Sequence, residues 1–170
     1  GWVVKQGMLA AHGNWRLFMD ADNSTSVDQF NKMVPYFKEG YDIIIGSRAL
    51  KASKLRPPQP WYKQLLGKFG NLIIQFMVLR GLKDTQCGFK CFSEEAANRI
   101  FKLATINRWG FDVEALVLAK LLGFRIKEIP VIWVNDIRST VGWKGYVSTL
   151  FDVLKIRFKL WRKRYDLSKT

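Results

Sequence analysis

WRLFMDADNSTS, residues 15–26, is the stretch from which the fold can be read. Its first five residues are short and largely apolar, which predicts a buried strand over Trp15–Met19. The strand runs directly into Asp20-Ala21-Asp22. A strand ending in Asp-x-Asp sets two carboxylates at the carboxyl edge of a sheet, where α/β folds bind their ligands. Alternation along extended backbone aims both side chains the same way. Two hard oxygen ligands at one point suit Mg²⁺ or Mn²⁺, which keep positions open for a substrate phosphate. Without a cation the two charges repel, and one carboxyl becomes harder to ionise. The competing reading is an Asx-turn and helix-capping cluster, because DADNSTS is also rich in turn formers.

The rest of the chain alternates helices and strands around this stretch. Residues 2–12 are expected to be a helix ended by Gly13. Ser26, with Gln29 in the reciprocal position of a capping box, predicts a helix running to about Gly40. Asp42 to Ser47 (DIIIGS) is a second buried strand, and the Pro-rich residues 49–60 are a loop. Trp61 to Leu82 reads as a helix, with Trp61, Leu65, Phe69, Leu72, Ile73, Phe76 and Met77 in one stripe. A turn and strand over Asp84 to Phe92 follow, then a Ser93-capped helix over 94–103 and a helix over about 112–122. Arg125 to Val134 is a strand interrupted by Pro130, hence an edge or a bulge. The last helix spans about Trp143 to Tyr165. Such alternation argues for α/β layers.

Composition narrows the class. The chain has 170 residues, 48% hydrophobic and 25% charged, which fits one globular domain and excludes disordered and collagen-like chains. Two Cys and one His make neither a disulfide scaffold nor a closed four-ligand zinc site. Cys87 and Cys91 are read as small buried hydrophobes. The longest uncharged apolar-rich run, Phe69 to Leu79, is too short to cross a bilayer. Residue 1 is Gly rather than Met, so a trimmed piece of a longer chain is expected. The net charge is +14 and unevenly placed. Ile43 to Lys83 holds eight Lys/Arg and no Asp/Glu, and Arg138 to Thr170 holds nine against two. The remainder is nearly neutral. Both basic segments carry interleaved Trp, Phe, Leu and Ile. That mixture suits anionic lipid headgroups or phosphates, with nucleic acid or a plain solvated face as the alternatives.

Other chemistry-bearing residues are scattered. Asp84 (DTQCGFKCF) and Asp112 with Glu114 (RWGFDVEAL) are candidate acids whose plainer roles are turn initiation and helix N-terminal charge. Arg48 stands at the end of DIIIGS. Arg138 and Ser139 follow VIWVND and form a reasonable phosphate clamp. Neither GxxxxGK[ST] nor GxGxxG occurs, so the common nucleotide loops are missing.

In sequence order, FMDADNST, YDIIIGSRAL, DTQCGFKCFS, RWGFDVEAL and EIPVIWVND with its nearby Arg-Ser resemble one family. They are similar to the polyprenyl-phosphate glycosyltransferases of the family-two inverting class, most closely the dolichyl-phosphate β-glucosyltransferases. The resemblance implies a GT-A (nucleotide-diphospho-sugar transferase) fold, a Rossmann-like mixed sheet with the N-terminal part of the domain missing. Residues 1–142 would be a partial catalytic domain and 143–170 a basic amphipathic, membrane-facing helix. The reaction implied is inverting transfer of a sugar, glucose from UDP-glucose, to a polyprenyl or dolichyl monophosphate.

By the motif match Asp20 and Asp22 hold the metal and donor diphosphate, with Ser24 near the metal. Lys5 and Gly7 (in GWVVKQG) and Arg48 are donor-binding candidates. Arg138 and Ser139 match the family's phosphate-binding loop, although Thr140 stands where relatives often have Lys. Asp84 or Asp112 would act as base if one is needed. The resemblance also implies a membrane-associated protein on the cytoplasmic face, at the endoplasmic reticulum in a eukaryote or the plasma membrane in a prokaryote, with no nucleic-acid partner. The alternatives are a mannosyltransferase using GDP-mannose, and a basic nucleic-acid- or lipid-binding module without activity.

Overall fold

The β-branched run Ile43-Ile44-Ile45 has no polar face to offer water and becomes the fully buried strand at the centre of the fold. The computed structural model describes residues 1–58, 61–134 and 143–167. In chain order the elements are α1 (Trp2–Ala10), β1 (Trp15–Met19), a 3₁₀ helix (Val27–Lys32), α2 (Val34–Lys38), β2 (Ile43–Ser47), β3 (Lys54–Arg56) and α3 (Trp61–Met77). There follow β4 (Phe89–Ser93), α4 (Glu94–Leu103), α5 (Phe111–Leu121), β5 (Ile126–Pro130), β6 (Ile132–Val134) and α6 (Trp143–Trp161).

The main sheet is mixed, with strand order β1-β4-β2-β5. β4 is antiparallel to both β1 and β2, and β5 runs parallel to β2 at the sheet's edge. Strand alternation sends Ile43, Ile45 and Phe92 to a core shared with α1, α3, α4, α5 and α6. Ile44, Phe89 and Cys91 face the opposite side, against Met33 and Phe37. Helix α5 is buried from Asp112 to Ala119, so it is apolar nearly all round and needs cover from several elements. Part of that cover is α6, which places Val153 and Ile156 in the same core.

Several sequence-based expectations change. The capping box at Ser26 does not form: the Ser26 hydroxyl makes no cap bond, and the segment is a 3₁₀ turn followed by a separate helix with Pro35 in its first turn. The Gln29 side chain instead donates to the carbonyl of Ile132 and accepts from its N–H, both at 2.7 Å. The expected loop 49–60 contains β3, which pairs in parallel with β6 to make a second, two-stranded sheet. Val131, between β5 and β6, is where the 125–134 strand divides beyond Pro130. Helix α3 ends at Met77 rather than Leu82, and α6 at Trp161 rather than Tyr165. Within the turn and strand expected over Asp84 to Phe92, the strand is Phe89–Ser93. Ser93 does cap α4, its Oγ accepting the N–H of Ala96 at 3.2 Å.

Candidate active site

β1 and β2 deliver their carboxyl ends to the same edge of the sheet, and the turn before β4 meets them there. Asp20 leaves β1 with its N–H donated to the carbonyl of Gly88 at 2.8 Å. Its carboxylate lies directly against Gly88, where any Cβ would overlap it. Glycine is therefore required at 88 by close approach, not by turn geometry. Gly88→Ala is expected to displace Asp20 and lower activity at least about tenfold with the fold retained, since small misplacements at a reacting centre are costly. Steady-state kinetics with circular dichroism check this.

Two residues on, Asp22 Oδ1 accepts the N–H of Ser24 at 2.9 Å across Asn23, whose φ is 55°. The Asx-turn reading is thus correct for Asp22, and it leaves Oδ2 available. Val134 donates to the carbonyl of Ser24 at 2.7 Å and ties this loop to β6. Burial, reinforced by the charge of Asp22, raises the Asp20 carboxyl above the usual aspartate range, although Lys90 and Arg48 pull the other way. Among the described residues neither Asp20 nor Asp22 forms a salt bridge. No three His, Cys, Asp or Glu side chains come close enough there to hold a metal by themselves. Two adjacent, mutually repelling carboxylates with no salt-bridge partner among the described residues fit a hard divalent cation that takes its other ligands from substrate and water.

Arg48, just beyond β2, is tightly held. Its backbone N–H and Nε donate to Asp84 Oδ2 at 2.9 and 2.7 Å, and Nη2 donates to Oδ1 at 2.9 Å. Burial alone would raise the Asp84 carboxyl, but the guanidinium overrides it and holds it below the usual range. The backbone N–H groups of Lys83 and Asp84 donate in turn to the Glu128 carboxylate on β5. The Arg48 guanidinium also lies over the Trp133 ring, 5.7 Å from its centroid. Asp84 is therefore an anchor for Arg48. An ionised carboxylate saturated in this way is a poor proton acceptor, which separates it from Asp112.

Asp112 opens α5 and is buried beside Lys90. Lys90 Nζ donates to Asp112 Oδ1 at 2.5 Å and to the Cys87 carbonyl at 2.6 Å, and sits over the Phe18 ring. Burial raises the Asp112 carboxyl in spite of Lys90. Lys90 itself is completely buried. The sequence reading missed it, and the available signal was a lysine inside an otherwise apolar strand, FKCF. Such a group is tolerated only when paired. Glu114, one turn into α5, is occupied structurally: it accepts from the N–H groups of Thr105 and Ile106, the Thr105 hydroxyl and the Tyr165 hydroxyl.

The remaining candidates fall elsewhere or are not described. Lys5, on α1, donates at 2.6 Å to the carbonyl of Ala104 at the end of α4, and Gly7 is exposed on the same helix. The structure does not bring either to the aspartate pair. Arg138 and Ser139 lie outside the described residues. Ser24 is buried and positioned by its bond to Asp22. Cys87 and Cys91 are free, buried thiols, each pushed up to about 12 by burial, and are inert hydrophobes as expected.

The mixed α/β sheet, with acidic groups converging at its strand ends, is of the GT-A type. The chain belongs to glycosyl transferase family 2, whose family profile matches residues 1–101. It is 35% identical over 165 residues to the dolichyl-phosphate beta-glucosyltransferase of Dictyostelium discoideum, covering 94% of this chain and 50% of that protein. It is 29% identical over 177 residues to the dolichyl-phosphate beta-glucosyltransferase of Homo sapiens, covering 100% of this chain and 55% of that protein. The chain thus spans about half the length of the curated relatives it matches. Among solved structures it resembles glucosyl-3-phosphoglycerate synthase from Mycobacterium tuberculosis in complex with uridine-diphosphate. That likeness has a TM-score of 0.59 and 13% identity, covers 91% of this chain and 53% of the other, and concerns the fold.

Proposed function

We propose that this chain forms the metal- and acceptor-side half of an inverting glucosyltransferase that moves glucose from UDP-glucose to a dolichyl or polyprenyl monophosphate. The observation that carries the reading is the meeting of Asp20, Arg48–Asp84 and Asp112–Lys90 at one sheet edge, on a chain similar to dolichyl-phosphate beta-glucosyltransferases.

The acceptor phosphate oxygen is ionised at neutral pH and needs no base to become a nucleophile. It attacks the anomeric carbon as the bond to the leaving diphosphate breaks, and the configuration inverts. The protein's contribution is then positioning and charge stabilisation. Arg48, aimed by Asp84, faces negative charge on donor or acceptor. Asp112 holds a hydroxyl of the donor sugar. Arg138 and Ser139, by their motif match, take the acceptor phosphate. A divalent cation, Mg²⁺ or Mn²⁺, held by Asp20 and Asp22 with Ser24 alongside, would supply Lewis-acid charge at the diphosphate.

The reaction is proposed to occur at the cytoplasmic face of a membrane, where a polyprenyl phosphate presents its headgroup. Among the described residues no helix is long and apolar enough to cross a bilayer. Support comes instead from α3 and α6. Of the stripe expected on α3, Trp61, Leu65, Phe69, Leu72 and Phe76 are exposed, while Ile73 is half-buried and Met77 packs against the core that Ile74 enters. On α6, Phe151, Leu154, Phe158 and Trp161 are exposed near Lys155, Arg157 and Arg162. Apolar side chains beside cations suit an interfacial location. Binding to anionic vesicles is expected to exceed binding to neutral ones and to weaken with salt; vesicle sedimentation checks it, and equal, salt-insensitive binding would count against this surface.

The function is tested by giving the full-length protein radiolabelled UDP-glucose or GDP-mannose with a polyprenyl phosphate. Transfer from UDP-glucose supports the reading. Transfer from GDP-mannose alone assigns a different donor, and salt-sensitive nucleic-acid retention without any transfer replaces the enzyme reading.

A further inference from the structure

We propose that Lys90 is a positioning residue for sugar transfer: it locks one oxygen of Asp112 so that the other is presented to a hydroxyl of the donor hexose. This rests on the glucosyltransferase reading above.

The argument begins with burial. Lys90 sits in the middle of β4, between Phe89 and Cys91, with no exposure to solvent. Strand alternation puts it on the same face as Phe92, toward α5. An ammonium there requires full compensation, and an apolar residue would fill the site at lower desolvation cost. Its compensation comes from two parts of the site. One is Asp112 Oδ1 in the first turn of α5, and the other is the carbonyl of Cys87, in the turn that carries Asp84 and Gly88. Gly88 in turn abuts the carboxylate of Asp20. Lys90 therefore joins the α5 carboxylate to the turn that supports Asp20 and Arg48.

The second observation concerns the oxygen Lys90 leaves alone. Asp112 Oδ1 is taken, and among the described residues no hydrogen bond reaches Oδ2. Nor is Oδ2 among the buried side-chain atoms lacking a partner. It is the acceptor that no described residue satisfies, on a side chain 11% exposed. A neutral polyol hydroxyl is the chemistry that fits it, because a phosphate would be repelled. With its ammonium tied to two acceptors, Lys90 fixes the direction in which Oδ2 points. It also offsets one negative charge in a cluster that includes Asp20 and Asp84.

The test is a double-mutant cycle in the full-length enzyme, using whichever of UDP-glucose or GDP-mannose the wild type transfers. Lys90→Met is expected to lower kcat about 100-fold, the scale of a misplaced reacting group, with KM for the donor little changed. Asp112→Asn is expected to lower kcat comparably. Lys90→Met/Asp112→Asn, which leaves no unpaired buried charge, is expected to fold and to be no worse than either single variant. Lys90→Arg restores part of kcat if orientation by a cation is the cause. Full kcat in the folded double variant would overturn the proposal, as would multiplicative losses from the two substitutions. A stability loss with kcat intact would assign Lys90 to folding alone. A wild-type enzyme that transfers neither sugar overturns the glucosyltransferase reading, and this proposal with it.

Discussion

Asp20→Asn and Asp22→Ala in the full-length enzyme should each reduce kcat by at least about 100-fold, the loss seen when one element of preorganised transition-state electrostatics is removed. Asp20→Asn should do so while raising the thermal midpoint only slightly, because Asp20 is exposed enough for solvent to screen its repulsions. The sign follows from the Asp20 carboxyl, which burial and the neighbouring Asp22 charge raise above its unfolded range. A raised acid opposes folding once ionised, so stability declines as pH climbs through the folded value, and the neutral amide removes that penalty. Mg²⁺ or Mn²⁺ should stabilise the wild type against heat and leave Asp22→Ala unaffected. Differential scanning fluorimetry beside a transfer assay reads both effects. If activity survives in Asp22→Ala, the cation assignment is wrong.

Asp84→Asn should be strongly destabilising. It leaves the Arg48 guanidinium facing a neutral amide in a largely enclosed position, and breaking a buried pair on one side costs about 3–5 kcal/mol. The Asp84 carboxyl is held low by Arg48, so its contribution is complete above the ordinary carboxylate range and disappears as pH falls through the folded value. Wild type should therefore lose stability on acidification more steeply than Asp84→Asn. Urea denaturation at neutral and acid pH measures the difference. Parallel acid profiles for the two proteins would show that the Arg48–Asp84 fork contributes little.

The strand into Asp20 and Asp22 was legible because an apolar run stops abruptly at two charges, a break with few physical explanations. Ser93 was legible because a cap is local and its partner lies three residues away. The failures share a different character. Gln29 has the right spacing for a capping box, yet its amide matches the backbone of Ile132, and sequence spacing cannot weigh a partner so distant in the chain. β3 is three residues long with charged ends, and exists through pairing with β6. On α3 the period showed which apolar residues share a face but not which way that face turns. Placing Trp61, Leu65 and Phe69 outward depends on Ile74 and Leu79 having already met the sheet-side core. Asp84 and Asp112 looked alike as isolated acids, and only their cations told them apart. Lys90 is a charge inside the apolar strand FKCF, and the Asp112 that pairs with it lies 22 residues away, beyond what local spacing can show.

The C-terminal half of α6 and the residues after it are bolted to the first turn of α5. Gly110 donates its N–H to the buried Asp152, in a contact too close for any side chain at 110. Close by, Tyr165 reaches Glu114, and Lys159 reaches both Thr105 and Glu114. A cut before Trp143 would remove all of these contacts. That cut would strand the sealed Glu114 carboxylate without its Tyr165 hydroxyl partner, remove Val153 and Ile156 from the core, and loosen the turn that aims Asp112. Solubility is better sought by recolouring the outer face of α6, at Phe151, Leu154 and Trp161, with the helix kept in place.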